Sequence, residues 1–179
     1  MPDTFHMGGC GCGRVRYRLH DTALIVHACH CRMCQRLTGS SNAVNALIEA
    51  DKVEHLTGDT IDVEAFTPSG HGQVITRCPA CYVAVWSEYR AMTALCGASL
   101  RFIRAGTLDS PDTFPPDVHI YAATMLPYFT RHEGMSVYDS FYDLKRVWPR
   151  ASLDRLSRAQ TAHRRAVSGV GSVRSGAAT

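Results

Sequence analysis

Seven of the eight cysteines in this chain are spaced as metal ligands. They form the clusters Cys10-x-Cys12, Cys29-x-Cys31-x-x-Cys34 and Cys78-x-x-Cys81, whereas Cys96 stands alone. Cysteines two or three residues apart can surround one zinc ion only if a tight turn of backbone brings their sulfur atoms together. Glycines beside the first pair and Pro79 within the last pair favour such turns. The spacing therefore predicts metal binding.

The number of clustered cysteines indicates two different metal sites. A structural zinc ion takes four protein ligands, whereas a catalytic zinc ion takes three and keeps one position open. The catalytic set is then the local trio Cys29, Cys31 and Cys34. The structural set is Cys10, Cys12, Cys78 and Cys81. His27 or His30 beside the trio is an alternative fourth ligand that would close the second site.

Two arginines flank the trio, and other cysteine chemistries lack their motifs. Arg32 and Arg36 lie four residues apart around Cys34, where they could offset thiolate charge or bind an acidic substrate, or form a solvated face. A nucleobase deaminase needs a catalytic Glu two residues after a ligand and Pro before the later cysteine pair. Neither is present, since no Glu lies two residues after Cys29, Cys31 or Cys34, and Arg77 rather than Pro precedes Cys78. A cysteine protease is also disfavoured, because metal binding would sequester its nucleophile.

The segments that must position these cysteines are short and mostly β. Alternating or β-branched stretches are separated by turn residues, which is typical of antiparallel strands. They predict strands over 14–19, 44–50, 61–66, 72–77, 82–89, 95–106 and 118–125. Helical patterns are few: a short one after Cys31, one over 51–58, and one in the tail over 151–167.

Composition places the chain among ordinary globular proteins. It has 179 residues, of which 45% are hydrophobic and 20% charged. No stretch approaches the roughly 18 apolar residues of a membrane helix, and the N-terminus lacks the pattern of a secretion signal. We therefore expect a cytoplasmic protein without membrane contacts, where reduced thiols favour metal sites over disulfides.

The net charge of +3 is unevenly distributed. Residues 1–144 carry 11 basic and 15 acidic side chains, whereas residues 145–179 carry 8 basic and 1 acidic. The basic tail could contact nucleic acid or an acidic surface, or be a solvated terminus that becomes flexible over 168–179. The acidic balance of the remainder argues against a nucleic-acid-binding core.

Four segments resemble the glutathione-dependent formaldehyde-activating enzyme (Gfa) family, also called the centromere-protein-V-like family. They are GGCGCGRVRY (8–17), CHCRMCQRLTGSS (29–41), CPAC (78–81) and AGTLDSPDTFPPDVHIY (105–121). The resemblance covers residues 8–135 and implies a β-tent-like fold with two zinc ions. Residues 136–179 are expected to be a basic extension, partly helical or disordered. In this resemblance Cys10, Cys12, Cys78 and Cys81 match the structural zinc, and Cys29, Cys31 and Cys34 match the catalytic zinc.

The resemblance implies a carbon–sulfur lyase that adds glutathione to formaldehyde, giving S-(hydroxymethyl)glutathione. His119 and Tyr121 match the family's His-Ile-Trp stretch and are expected, with Arg32 and Arg36, to line the substrate pocket. Tyr82 stands where many relatives have Gly, and Arg77 where they have Phe, so zinc ligation transfers better than substrate choice. The alternative is a zinc-stabilised binding module without catalysis, whose basic tail contacts nucleic acid or protein. Assembly into a homo-oligomer stays open.

Overall fold

The computed structural model describes residues 5–131 and 134–172, with side chains up to residue 168. The strands are β1 His6–Gly9, β2 Arg16–Leu19, β3 Ile25–Cys29, β4 Ala43–Glu49, β5 Val53–Thr57, β6 Ile61–Ala65, β7 Gln73–Arg77, β8 Ala84–Tyr89, β9 Leu100–Arg104, β10 Val118–Ile120 and β11 Ser136–Val137. The helices are α1 Arg32–Thr38, α2 Arg90–Cys96, α3 Leu144–Val147 and α4 Arg150–Ser172. The prediction of a mainly β protein is confirmed.

The strands form two sheets. The small sheet has the order β1-β2-β5, and the large sheet has the order β11-β10-β3-β4-β9-β8-β7-β6. Pairing is antiparallel throughout, except that β10 runs parallel to both β3 and β11. Within the described residues, no helix combines the length and apolarity that a membrane crossing requires.

Each face of the large sheet has its own core. Successive side chains of a strand point to opposite faces, so Ala46 and Leu47 belong to different layers. Ala46 packs with Tyr17 of the small sheet, whose ring meets that of Trp86 edge to face with centroids 5.5 Å apart. Leu47 packs on the other face with Met92 of α2. The sheet therefore separates two environments, and each holds one cysteine cluster.

The segment after residue 135 contributes to the second core. Tyr142, Trp148 and Leu156 are buried there, and the Trp148 indole donates to the Tyr142 hydroxyl at 2.8 Å. The Ser152 hydroxyl donates to the Leu24 carbonyl at 2.7 Å. Helix α4 contains the predicted helix over 151–167 and continues to Ser172, so the tail predicted to be flexible from residue 168 is helical over 168–172. The rest of that tail, 173–179, lies outside the described residues. The domain division at residue 135 stays a prediction.

Three local predictions differ from the structure. The helix predicted over 51–58 is wrong, because a single 3-10 turn over Ala50–Lys52 leads into β5, which pairs with β2. The strand predicted over 95–106 begins only at Leu100, since α2 extends to Cys96 and is capped by Gly97 with a left-handed φ of 60°. The strand predicted over 118–125 ends at Ile120. Strand β3 was not predicted because all five of its residues are buried, so it shows no alternation.

Candidate active site and metal centres

The four-cysteine cluster joins two turns that are distant in sequence. Cys10 and Cys12 follow β1, and Cys78 and Cys81 follow β7; their sulfur atoms all lie within 4.8 Å of one another. The sulfurs of Cys10 and Cys12 are 3.4 Å apart, and those of Cys12 and Cys78 are 3.8 Å apart. Thiolates at about 2.3 Å around a tetrahedral zinc ion are separated by roughly 3.8 Å. The four residues fit a closed zinc site.

The two turns of this cluster share one hydrogen-bond pattern. The Cys10 N–H donates to the Val15 carbonyl at 3.0 Å, and the Cys78 N–H donates to the Val83 carbonyl at 3.1 Å. Each turn also has one residue in the left-handed region, which is Gly13 in the first (φ 77°) and Tyr82 in the second (φ 59°). Glycine adopts this conformation without strain, whereas tyrosine does not.

The turn without glycine has an additional contact. The Arg77 guanidinium donates to the Tyr82 carbonyl at 2.8 Å. The hydrogen bond holds the peptide of the strained residue from outside the turn. The turn therefore forms with Tyr82 in place of glycine, and it brings the sulfur atoms of Cys78 and Cys81 into the four-cysteine cluster.

The three-cysteine cluster comes from one short segment. Cys29 ends β3, Cys31 caps the N-terminus of α1, and Cys34 lies in the first turn of that helix. Their sulfur atoms lie within 4.8 Å of one another, and the Cys34 N–H donates to the Cys31 sulfur at 3.3 Å. Three thiols at this separation are a soft donor set that fits zinc.

Neither neighbouring histidine joins the trio. The His30 Nε2 atom lies 2.8 Å from the Nδ1 atom of His119, and the His27 Nε2 atom lies 2.5 Å from the Tyr142 hydroxyl. Among the described residues, the cluster consists of the three cysteines alone. The trio is therefore an open set of ligands.

The electrostatics of the trio favour one thiolate. Hydrogen bonds from the Cys29 and Cys34 thiols hold the pKa of Cys31 well below its usual range. Hydrogen bonding to its two partners, together with burial, raises the pKa of Cys29. The three thiols thus form one hydrogen-bonded, electrostatically coupled group at the start of α1.

The trio lines a cleft of about 530 Å³ on the helical face of the large sheet. Its floor consists of strand residues whose side chains point to the same face of the sheet, as side chains two apart on one strand do. They are Cys29 on β3, Asn45 on β4, Phe102 and Arg104 on β9, Tyr89 on β8 and Gln73 on β7. Residues of α1 and α2, including Met33 and Leu95, form walls. The cysteines are thus accessible to a small molecule that enters the cleft.

Arg104 is a site residue that the sequence analysis missed. It lies opposite Asn45 in the β4–β9 register, and its Nη1 atom donates to the Asn45 side-chain oxygen at 2.5 Å. Burial lowers the pKa of Arg104, while electrostatic attraction to the three cysteines of the trio opposes that shift. The only sequence signal for Arg104 is its position two residues after Phe102 in β9, because side chains two apart on a strand point to the same face of the sheet.

The four predicted substrate residues occupy different places. Arg32 and Tyr121 line the cleft. Arg36 is exposed on α1 outside the described lining, and His119 is buried in β10 beside His30. A substrate role for these four residues stays a prediction.

Tyr121 carries the second left-handed backbone of a non-glycine residue, with φ 56°. Its N–H donates to the Ser140 carbonyl at 3.0 Å. Burial raises the pKa of its hydroxyl to about 12, so the group is neutral near pH 7 and can donate a hydrogen bond. Strained residues of this kind are concentrated at functional sites.

Comparison with known proteins agrees with the cysteine pattern. No curated protein matches the sequence significantly. A crystal structure of a Rhodobacter sphaeroides protein aligns over 74% of this chain and 98% of its own, with 13% identity and a TM-score of 0.44. The family model of the glutathione-dependent formaldehyde-activating enzymes matches residues 5–124, which include all seven clustered cysteines and most of the strands that hold them. The chain therefore belongs to the glutathione-dependent formaldehyde-activating enzyme family.

Proposed function

We propose that this protein is a zinc-dependent carbon–sulfur lyase that, in the synthetic direction, adds a glutathione-like thiol to formaldehyde or a related small aldehyde. The observation that carries the proposal is the three-cysteine cluster, which lines a cleft and includes no described histidine or carboxylate. Three protein ligands and one open position are the arrangement of catalytic zinc.

Cys29, Cys31 and Cys34 would hold the ion. A bound zinc ion supplies positive charge, which lowers the pKa of neighbouring thiols and polarises carbonyl oxygens. The addition needs no oxidant or reductant, because one S–C bond forms as the carbonyl π bond breaks. The thiol proton is transferred to the new hydroxyl oxygen, and the reverse reaction returns it.

Two residues of the chain can stabilise the negative charge that develops on the aldehyde oxygen. Tyr121 offers a neutral hydroxyl in the cleft, and Arg104 offers a guanidinium held by Asn45. A preorganised donor in a cleft partly shielded from water is worth more than the same donor in bulk water. The apolar walls, which include Met92 and Phe141, limit competing hydration of the aldehyde.

The alternative of a non-catalytic binding module predicts two closed metal sites. The open trio supports the enzyme instead, and part of the basic tail has a structural role. Arg155 forms an ion pair with buried Glu49, with its Nε atom 3.0 Å from Oε1. Arg164 and Arg165 remain exposed. If the protein is a binding module that uses its basic tail, replacing both with Gln should abolish a salt-sensitive interaction with its partner.

The enzymatic proposal is tested by incubating the zinc-loaded protein with formaldehyde and glutathione. Exchange NMR measures the rate at which the adduct forms and dissociates, relative to the reaction without protein. We expect acceleration with the wild-type protein and none with Cys34→Ser, which should retain the fold and one zinc ion. Exchange at the uncatalysed rate with fully zinc-loaded protein would contradict the proposed reaction for this substrate pair.

A further inference from the structure

We propose that residues 136–148, which we call the C-terminal strap, belong to the active site, and that Phe141 of the strap is a positioning residue for the hydroxyl of Tyr121. The strap follows the part of the chain that matches the family model, which ends at residue 124. The inference rests on the proposed function only in giving Tyr121 a role in the reaction. The placement of Tyr121 itself can be measured without turnover.

The backbone of the strap holds the segment that carries Tyr121. Strand β11 runs parallel to β10, and the Tyr138 N–H donates to the His119 carbonyl at 2.9 Å. In the opposite direction, the Tyr121 N–H donates to the Ser140 carbonyl at 3.0 Å. The Ala122 N–H donates to the Tyr138 carbonyl, also at 3.0 Å. Backbone hydrogen bonds thus run in both directions between the strap and the end of β10.

The conformation of Tyr121 needs such support. Its φ of 56° lies in the left-handed region, which costs free energy for a residue that has a Cβ atom. Residues in this region persist where the surrounding structure over-determines them. The strap supplies the acceptor for the Tyr121 N–H, so loosening the strap should let the residue return to an ordinary backbone conformation. That change would redirect its side chain.

One side chain of the strap also contacts the ring of Tyr121. The centroids of the Phe141 and Tyr121 rings lie 6.5 Å apart, with an angle of 37° between the ring planes. This separation is within the range of interacting aromatic pairs. Both side chains line the cleft that contains the three cysteines. Phe141 is therefore a part of the cleft wall that limits where the Tyr121 hydroxyl can lie.

Phe141 is itself held by the second core. Its ring stacks on that of Tyr142, with centroids 4.6 Å apart and 15° between the planes. The Tyr142 hydroxyl accepts a hydrogen bond from the Trp148 indole at 2.8 Å, and its oxygen lies 2.5 Å from the His27 Nε2 atom. Because an indole N–H only donates, the hydroxyl proton is left for His27. Tyr142 thus links the strap to β3, the strand that ends at Cys29.

The alternative is that the strap only stabilises the second core. Leu156 of α4 has such a role, because it is buried in that core and lies outside the described lining of the cleft. A core role predicts lower stability with unchanged chemistry. A positioning role predicts slower chemistry that depends on the Tyr121 hydroxyl. Since contacts alone do not demonstrate coupling, the two roles must be separated by measuring it.

The first experiment is a double-mutant cycle on adduct exchange by the zinc-loaded protein. With saturating glutathione and formaldehyde, Phe141→Ala should slow exchange about tenfold, which is part of the loss expected for Tyr121→Phe. In the Tyr121→Phe background, Phe141→Ala should slow exchange by no more than about twofold, because the hydroxyl that it positions is already absent. Phe141→Leu keeps more apolar bulk, so it serves if the alanine variant does not fold. It should show the same non-additivity with a smaller effect.

The second experiment observes the placement of Tyr121 directly. Amide hydrogen exchange, followed by NMR, measures how often the hydrogen bond from the Tyr121 N–H to the Ser140 carbonyl opens. We expect Phe141→Ala to raise the exchange rate of this amide about tenfold. The amide of Leu47, on a central strand of the large sheet, should exchange as in wild type.

Leu156→Ala is the matched control for both experiments, because it removes apolar bulk from the same core. It should lower the melting temperature and leave adduct exchange and the Tyr121 amide as in wild type. Zinc content verifies that each variant keeps its ions.

Three outcomes overturn the inference. The first is adduct exchange at the wild-type rate in the Phe141 variants. The second is an equal loss of rate with and without the Tyr121 hydroxyl, which would show that Phe141 acts directly on the substrate. The third is an equal loss of rate in Leu156→Ala, which would make the strap a part of the core alone.

Failure of the proposed reaction is separate, because the wild-type protein would then not accelerate adduct exchange. In that case the Tyr121 amide decides the positioning role by itself. A tenfold faster exchange of that amide in Phe141→Ala supports the role, and an unchanged rate overturns it.

Discussion

The two cysteine clusters lie on opposite faces of one sheet and differ in how much chain they connect. The four-cysteine cluster joins turns whose cysteines are 66 residues apart, such as Cys12 and Cys78. The trio comes from a single segment that β3 and α1 already position. Metal in the first cluster would restrain distant parts of the fold, whereas metal in the second would add little long-range connectivity. This difference supports the proposal that the first site serves stability and the second serves chemistry.

The largest expected effect distinguishes the clusters directly. Cys78→Ser should unfold the domain, because zinc in a structural site contributes about 10 kcal/mol or more to folding. Cys34→Ser should cost one zinc ion and leave the circular dichroism spectrum and melting temperature close to wild type. Zinc content by mass spectrometry and thermal unfolding give both values. Equal loss of stability in the two variants would show that the clusters do not divide the roles in this way.

The second prediction concerns an ion pair in the layer that contains the trio, and it involves no cysteine. Arg155 and Glu49 form a buried ion pair, with side chains 14% and 6% exposed. Arg155→Met leaves Glu49 without a counterion, and we expect a loss of about 3–5 kcal/mol in the free energy of unfolding. Chemical denaturation measures it, with exposed Arg158→Met as the control. Adding Glu49→Gln should recover part of the loss, and no recovery would refute the ion-pair explanation.

The third prediction concerns catalysis in the cleft. Tyr121→Phe removes one hydroxyl donor, and we expect adduct exchange to slow by about a hundredfold, as for other preorganised donors. Zinc content should be unchanged, because the residue is not a ligand. Tyr128→Phe is the matched control, since that ring is 77% exposed and lies outside the described lining. An unchanged rate in Tyr121→Phe would remove the hydroxyl from the mechanism.

The smallest effect concerns the two turns of the four-cysteine cluster. Tyr82→Gly should stabilise the protein by about 1 kcal/mol, because it relieves left-handed strain at a side chain that is 64% exposed. Gly13→Ala should destabilise it by a similar amount, since a Cβ there meets nothing within 4 Å and only the backbone is affected. Thermal unfolding of the zinc-loaded variants compares them. The same sign of change in both would contradict the matched geometry of the turns.

The sequence predicted much of this architecture because the strands near the clusters alternate or are rich in β-branched residues. Residues 14–19 have one polar and one buried face and contain β2, whereas residues 72–77 contain β7 and its β-branched run Val74, Ile75 and Thr76. The failures have physical causes. Strand β3 is buried on both faces, and the segment over 51–58 combines a single turn with an edge strand, so neither shows a clear period.

By itself, the sequence determined the seven candidate ligands and predicted their division into four and three, and the structure groups the same cysteines. Ligand spacing is a local property, because a two- or three-residue turn fixes how close two sulfur atoms can come. Only the tertiary structure placed the clusters on opposite faces, excluded the described histidines from the trio, and brought Arg104 and Asn45 into the cleft. Those relations depend on strand register and on the packing of distant segments, which no local pattern of residues encodes.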